Sequence, residues 1–599
     1  MNAPSRFLWI PWLILFHLVH ASPAAGEYRT VDVESLRITV DTDWPSRIAP
    51  GYVPVRLDIT NLGDARVIEV VIEGMRFDRT MRTGPAQIAI RQGVRLARLD
   101  RVRLSIPVPV SAEYENFQVK IDEGDRLVER FSYSNFQSTT PAVDAAALIV
   151  ANPGTAFGKT AAALARTGSG RATSFVISGP STSRSATPRG MTPHDLVLEP
   201  ARLPVTWLGY TSLRAVVIGA EEWAGLEDAQ KGALLTWTAS GGDLIVVDGA
   251  AEALAGAGHR TREIAADGPA RGYFFGRIHR RTSDAMATAG LATALSEAAA
   301  VQDPDWALPA SRWSRWNVIT ARGFRFPIPG VAHVPVRAYL GILFVFTLLV
   351  GPVNYLLLAR KRRQVLFVAT APLISALFIV VLAGYVVAGE GLHVSARAES
   401  FTVLDQARRQ AATRATISLY AAGLTPSGGL QFPRDVAVYA IGPDGGANRE
   451  SHDMDLTDTQ RFASGLIRAR APTNLEQIGF RPARERLTIS PGPGGLSVVN
   501  GLGVAVKALV FRSGGTAYAL TQSLPAGATA LLTRGAPQGA TFVPADLPRS
   551  SRFAHLVDNL PEGAYFAVLE RSPFWQPGTT GIVEYGSFHC VLGWVDGQP

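Results

Sequence analysis

The sequence predicts a multidomain chain, α/β plus all-β, carrying a two-helix transmembrane hairpin, and three observations predict it. Two uncharged apolar runs, 338–359 and 365–389, flank the cationic stretch Arg360-Lys361-Arg362-Arg363-Gln364. Regions 28–138 and 395–599 alternate apolar and polar residues in short segments, which suits strands with one buried face. Region 142–290 instead has continuous apolar runs separated by helical spacing, which suits a parallel sheet buried on both faces.

Composition agrees. Charged residues make up 18% of the 599 positions, below the globular norm of about 25%, as expected when part of a chain is solvated by lipid. The formal net charge is +8, but the cations are 53 arginines and five lysines scattered among acids, so no nucleic-acid-binding patch is expected. Cys590 is the single cysteine, which excludes a disulfide framework, an all-cysteine zinc site and an iron–sulfur cluster.

Residues 1–25 read as a signal peptide: Arg6, an apolar run over 7–19, then Ala21-Ser22-Pro23-Ala24-Ala25, with cleavage after Ala21 or Ala24. Region 28–138 follows as an immunoglobulin-like β-sandwich, with strands expected at 36–40, 53–59, 67–72, 102–110, 117–121 and 130–133. Region 142–290 follows as a doubly wound α/β domain, with strands at 146–150, 174–177, 215–218 and 244–247. Leu226, Ala229, Ala233, Leu234 and Trp237 fall at helical spacing before Gly241-Gly242, and a Ser/Thr/Arg/Pro-rich loop covers 179–193.

Residues 291–337 link this domain to the membrane, and Trp306, Trp313 and Trp316, with Arg312 and Arg315, suit the outer membrane–water boundary. The 22 residues of 338–359 reach about 33 Å as a helix, enough for a hydrocarbon core of about 30 Å. The positive-inside rule places 360–364 in the cytoplasm, so the soluble regions on both sides lie outside it. Region 395–599 is read as a C-terminal β-sandwich, with Asn500-Gly501 as a turn signal.

Candidate chemistry is sparse. Asn152-Pro153-Gly154-Thr155-Ala156-Phe157-Gly158-Lys159-Thr160 resembles a phosphate loop but is one residue short, and reads as a strand-to-helix turn. No zincin histidine pair and no Gly-x-Ser-x-Gly elbow occurs. Glu221, Glu222 and Asp248 follow strands at the carboxyl edge of the predicted sheet, where ligands of open α/β sheets bind, and form the candidate ligand site. No catalytic set, metal site or cofactor is assigned.

Gly351-Pro352-Val353-Asn354-Tyr355, followed by the basic turn and Ala371-Pro372, resembles a group of bacterial membrane-anchored envelope proteins with a GP-x-N-Y helix. Trp207, Tyr210, residues 230–237 and Gly241-Gly242-Asp243-Leu244-Ile245 resemble their class I glutamine amidotransferase-like domain. Residues 495–500 with Leu524-Pro525-Ala526-Gly527 are similar to their distal sandwich. Active members of that class use a cysteine nucleophile and a His-x-Glu pair; region 142–290 has neither.

The resemblance therefore implies a non-enzymatic periplasmic scaffold or sensor in the bacterial inner membrane. It further implies partners among envelope and inner-membrane proteins, MoxR-type ATPases and von Willebrand-type proteins included, with lipid at the basic turn. The alternative is a periplasmic hydrolase or carbohydrate-binding enzyme using Glu221, Glu222 and Asp248.

Overall fold

Alternating burial builds the first region. Leu36, Ile38 and Val40, with Val55, Leu57 and Ile59, line one sheet, whose strands run in the order Tyr28–Val33, Leu36–Asp41, Gly51–Asn61 and Arg101–Val110. They share one core with Ile68, Val70, Ile72, Ile88, Ile90 and Val119 from a second sheet, which makes a β-sandwich. The computed structural model describes residues 28–45, 47–48, 51–75, 88–110, 116–134, 137–138, 147–159, 161, 196–213, 215–249, 271–283, 326–331, 336–390, 393–423, 425–441, 452–492, 494–520, 522–535, 538–547 and 550–595. The signal-peptide expectation, the strand at 174–177, the loop at 179–193 and the Trp306, Trp313, Trp316, Arg312 and Arg315 group lie outside them.

The second sheet does not end with the N-terminal region. Strand His452–Asp455 pairs in parallel with Ile88–Leu96, placing His452 opposite Ile88 and Met454 opposite Ile90. Gln460–Ser464 and Leu430–Phe432 extend it to seven strands. Three strands from the 395–599 region thus complete a sheet begun more than 300 residues earlier, an arrangement that no local signal could reveal.

In the α/β region the sheet order is Leu196–Leu198, Ala147–Val150, Ala215–Gly219, Asp243–Val247, Gly276–Arg281 and Arg271–Tyr273, parallel except for the last strand. Alternate residues go to opposite layers. Leu148, Val150, Val216, Ile218, Leu244 and Val246 join the main core with Leu234 and Trp237 of the helix Asp228–Ala239. Ala147, Ile149, Val217, Ile245 and Val247 pack with Phe157 and Ala161 in a separate cluster. Both faces being buried explains the continuous apolar runs. Gly276 is required here, since a Cβ would stand 2.0 Å from the Thr238 carbonyl oxygen.

Two helices long and apolar enough to cross a membrane follow, Tyr339–Arg360 and Gln364–Gly384. Their apolar side chains point outward: Phe344 is 65% exposed and Val368 78%, the reverse of a soluble core hairpin. The first helix loosens into a π-helical turn at Leu349–Val353, which contains Pro352, a proline having no amide hydrogen to donate. Across the pair, Asn354 Nδ2 lies 2.9 Å from Thr370 Oγ1.

The remaining region is dominated by a ten-stranded sheet centred on Val394–Asp405 and Gln410–Ala421. Part of one face packs through Leu509, Phe511 and Tyr565 against Leu487, Ile489 and Val498 of a three-stranded sheet. The amphipathic helix Ser550–Asp558 lays Phe553 beside Phe401, Phe566 and Phe588. Asn500 does not form a two-residue hairpin turn. It is buried at the end of strand Gly495–Gly501, its Nδ2 donating to the carbonyls of Val504 and Leu524, and so organises a crossing between two sheets.

Candidate functional site

The parallel sheet changes direction of winding at its first strand: Leu196–Leu198 lies on one side of Ala147–Val150 and Ala215–Gly219 on the other. The crevice at the carboxyl ends of such neighbouring strands is where open α/β sheets bind ligands. Glu222 occupies it. Its side chain is 1% exposed, and Oε1 accepts hydrogen bonds from the Asn152 backbone N–H at 3.1 Å and from Thr155 Oγ1 at 2.6 Å. Two donors that a phosphate would use thus point at a carboxylate of the chain itself.

The glycines of this stretch have packing reasons. A Cβ on Gly158 would lie 1.7 Å from the Asn152 carbonyl oxygen, and one on Gly219 would lie 2.1 Å from Glu222 Oε2. Residues 152–159 therefore form a strand-to-helix turn closed by Glu222, with Lys159 exposed.

Glu221 is exposed in the first turn of helix Ala220–Ala224. Asp248, with φ 56°, is exposed and bonds in the other direction: Oδ1 accepts the Ser283 N–H at 2.8 Å, and Oδ2 pairs with the Ser283 hydroxyl. Glu222 is thus committed to the loop after Ala147–Val150 and Asp248 to the turn after Gly276–Arg281, on opposite sides of the central strands. Acid–base hydrolysis of a glycoside needs two carboxyls facing a common gap. Each of these two is instead engaged by a different loop. Among the described residues, no three His, Cys, Asp or Glu side chains gather as a metal would require.

The ten-stranded sheet holds polar groups that the sequence analysis did not single out. Ser400 and His589 sit opposite each other on paired strands, both 0% exposed, with Ser400 Oγ 2.7 Å from His589 Nδ1. His589 Nε2 is 2.9 Å from Glu584 Oε2. Burial disfavours the Glu584 carboxylate, but the hydrogen bond and charge of His589, with a further bond from Ser587, outweigh it and hold its pKa below the ordinary value. The order Ser–His–Glu matches a hydrolytic triad, yet the serine is sealed inside a strand and Trp575 stacks on the imidazole at 6.0 Å. Without access for a substrate to Ser400, the three groups form a polar relay, buried at Ser400 and His589 and reaching the surface at Glu584, that fixes strand register. A separation of 189 residues between Ser400 and His589 left no motif to find.

Arg397, 3% exposed, joins described segments on the two sides of the apolar hairpin. It lies on the strand that follows the second helix. Its Nη1 donates to the Pro327 carbonyl at 3.0 Å, on the segment before the first helix, and its guanidinium covers the Phe326 ring at 4.6 Å. Nε donates to Gly586 at 3.1 Å, and Nη2 pairs with Asp546. At the far end of the hairpin, Arg360, Lys361, Arg362 and Arg363 are all exposed. Arg362 takes φ 52° and its N–H bonds to Ala359, which turns the chain sharply, while the cations face the negative end of the first helix dipole.

No family model matches the sequence, and no curated protein matches it. Among solved structures, the yeast delta-COP-I mu-homology domain, with and without a Dsl1 WxWxV peptide, aligns at 9% identity over 34% of this chain. The alignments cover 96% and 95% of that domain at TM-scores of 0.15 and 0.17, too low to bear on fold or function.

Proposed function

We propose that this chain is a non-enzymatic scaffold or sensor of the bacterial cell envelope, held in the inner membrane by its two helices, with its bulk in the periplasm and partner proteins as its ligands. The observation that carries this reading is Arg397, which ties the segment entering the first helix and the strand leaving the second to one sheet. Arg397 thus joins the segment on the N-terminal side of the hairpin to the strand on its C-terminal side, which suits a scaffold or sensor better than a flexible tether. The basic turn supports the orientation. Resemblance to the envelope group supports an amidotransferase-like domain without catalysis, and partners such as MoxR-type ATPases and von Willebrand-type membrane proteins. The hydrogen bonds that commit Glu222 and Asp248 to neighbouring loops support a structural role for that sheet edge.

Crosslinking in native membranes with mass spectrometry tests the reading. The wild type is expected to capture a reproducible set of membrane proteins, and Arg397→Ala, if inserted and folded, to lose part of that set. Turnover of glutamine or another amide by the purified protein, abolished in Glu222→Ala, would overturn it.

A further inference from the structure

A cleft of about 240 Å³ opens on the face of the ten-stranded sheet that carries Ser400 and His589. Its floor is made of small or amide side chains in register, Thr413 beside Gly479 and Ala415 beside Gln477. Gly479 has no structural reason to be glycine. It lies inside strand Pro472–Pro482 with φ outside the left-handed region, and an added Cβ would meet only Val436 Cγ2, at an ordinary 3.6 Å. Glycine inside a strand weakens it, and often marks close approach of another molecule. Here its effect is to keep the floor open.

Two side-chain donors among the cleft's lining residues have no partner among the described residues. Gln477 is 5% exposed; its Oε1 accepts the Gln576 N–H at 3.4 Å, while its Nε2 donates to no described residue. Trp575 is 6% exposed as a residue, and its indole N–H also donates to no described residue. The walls are preformed. Arg481 Nη2 holds the Pro573 carbonyl at 3.1 Å and the guanidinium lies 5.0 Å from the Phe574 ring. On the opposite side, Trp207 Nε1 holds the Asp435 carbonyl at 2.8 Å.

From this geometry we infer that the cleft binds one neutral pyranose ring of a saccharide. Aromatic walls accept the apolar C–H face of such a ring, while amide and indole donors meet its hydroxyls. Arg481 is already paired with Glu485 at 2.6 Å, so the cleft offers no free cation for an anionic ligand. The volume suits a single ring. Such binding is independent of partner proteins docking elsewhere on the body.

The test uses the full chain in lipid nanodiscs, because glycosidic detergents would compete. N-acetylglucosamine, its β-1,4-linked trimer and maltotriose are titrated by calorimetry and by tryptophan fluorescence. At least one is expected to bind saturably. Gly479→Val, which fills the floor without backbone strain, is expected to weaken that binding at least tenfold with the melting temperature unchanged. Gln477→Met, close to isosteric, is expected to weaken it as well and covers the case in which Gly479→Val misfolds. Failure of all three saccharides to bind the wild type, or equal binding by a folded variant, overturns the inference.

Discussion

Arg202 of the α/β region grips Asp41 of the N-terminal sandwich, with Nη2 2.9 Å from Oδ1 and Nε 3.2 Å from Oδ2. Arg56 closes the other side of the same carboxylate at 2.9 Å, and Arg202 also reaches Asp43 at 2.9 Å. The two regions meet through these charges as well as through backbone contact. A Cβ on Gly51 would lie 2.7 Å from the Ser212 nitrogen.

Asp41→Asn should therefore destabilise the junction. Burial disfavours the Asp41 carboxylate, but the Arg56 charge, the hydrogen bonds from Arg202 and Arg56, and the Asp43 N–H outweigh it and lower its pKa. A depressed carboxylate pKa contributes stability that is present above the unfolded value of about 3.9 and lost as pH falls through the folded value. Chemical denaturation should show a loss of about 2 kcal/mol for the variant at neutral pH. The deficit should shrink below about pH 4, where the wild type loses the same contribution.

His589→Ala should cost more than Ser400→Ala. Removing the imidazole leaves the partly buried Glu584 carboxylate and the buried Ser400 hydroxyl without their shared partner, an effect of about 2–4 kcal/mol. Removing the hydroxyl strands one ring nitrogen, at about 1–2 kcal/mol. Thermal unfolding of the two variants side by side gives the ranking.

Asn354 and Thr370 join the two apolar helices, with Nδ2 2.9 Å from Oγ1. Polar pairs between membrane helices couple by about 0.6 kcal/mol on average, up to about 1.7. A double-mutant cycle with Asn354→Leu and Thr370→Val, read by equilibrium unfolding in mixed micelles, should return a favourable coupling in that range. Zero coupling would leave the pair without energetic weight.

Alkaline phosphatase fused after Gly391 should be active, and the same enzyme fused at Arg362 inactive. The opposite pattern would place the basic turn on the outer side and reverse the proposed orientation.

What the sequence determined by itself was local. Two charge-free runs as long as a bilayer is thick could be read directly, because helix rise and hydrocarbon thickness are properties of single segments. Leu36–Asp41, Ala215–Gly219, Asp243–Val247 and Asp228–Ala239 were legible for the same reason, since the periods of burial along a strand or helix belong to neighbouring residues. Glu222 could be placed at a strand end, but not its bond to Asn152, 70 residues away. Tertiary structure alone decided that Ile90 would pair with Met454, that Arg397 would bond to Pro327 on the other side of the hairpin, and that Ser400 would meet His589. It also decided which bare strand positions, Gly479 among them, would open onto a cleft. Such contacts bring together residues far apart in sequence, and their partners are chosen by sheet register and the packing of layers, so they leave no pattern within any window of the chain.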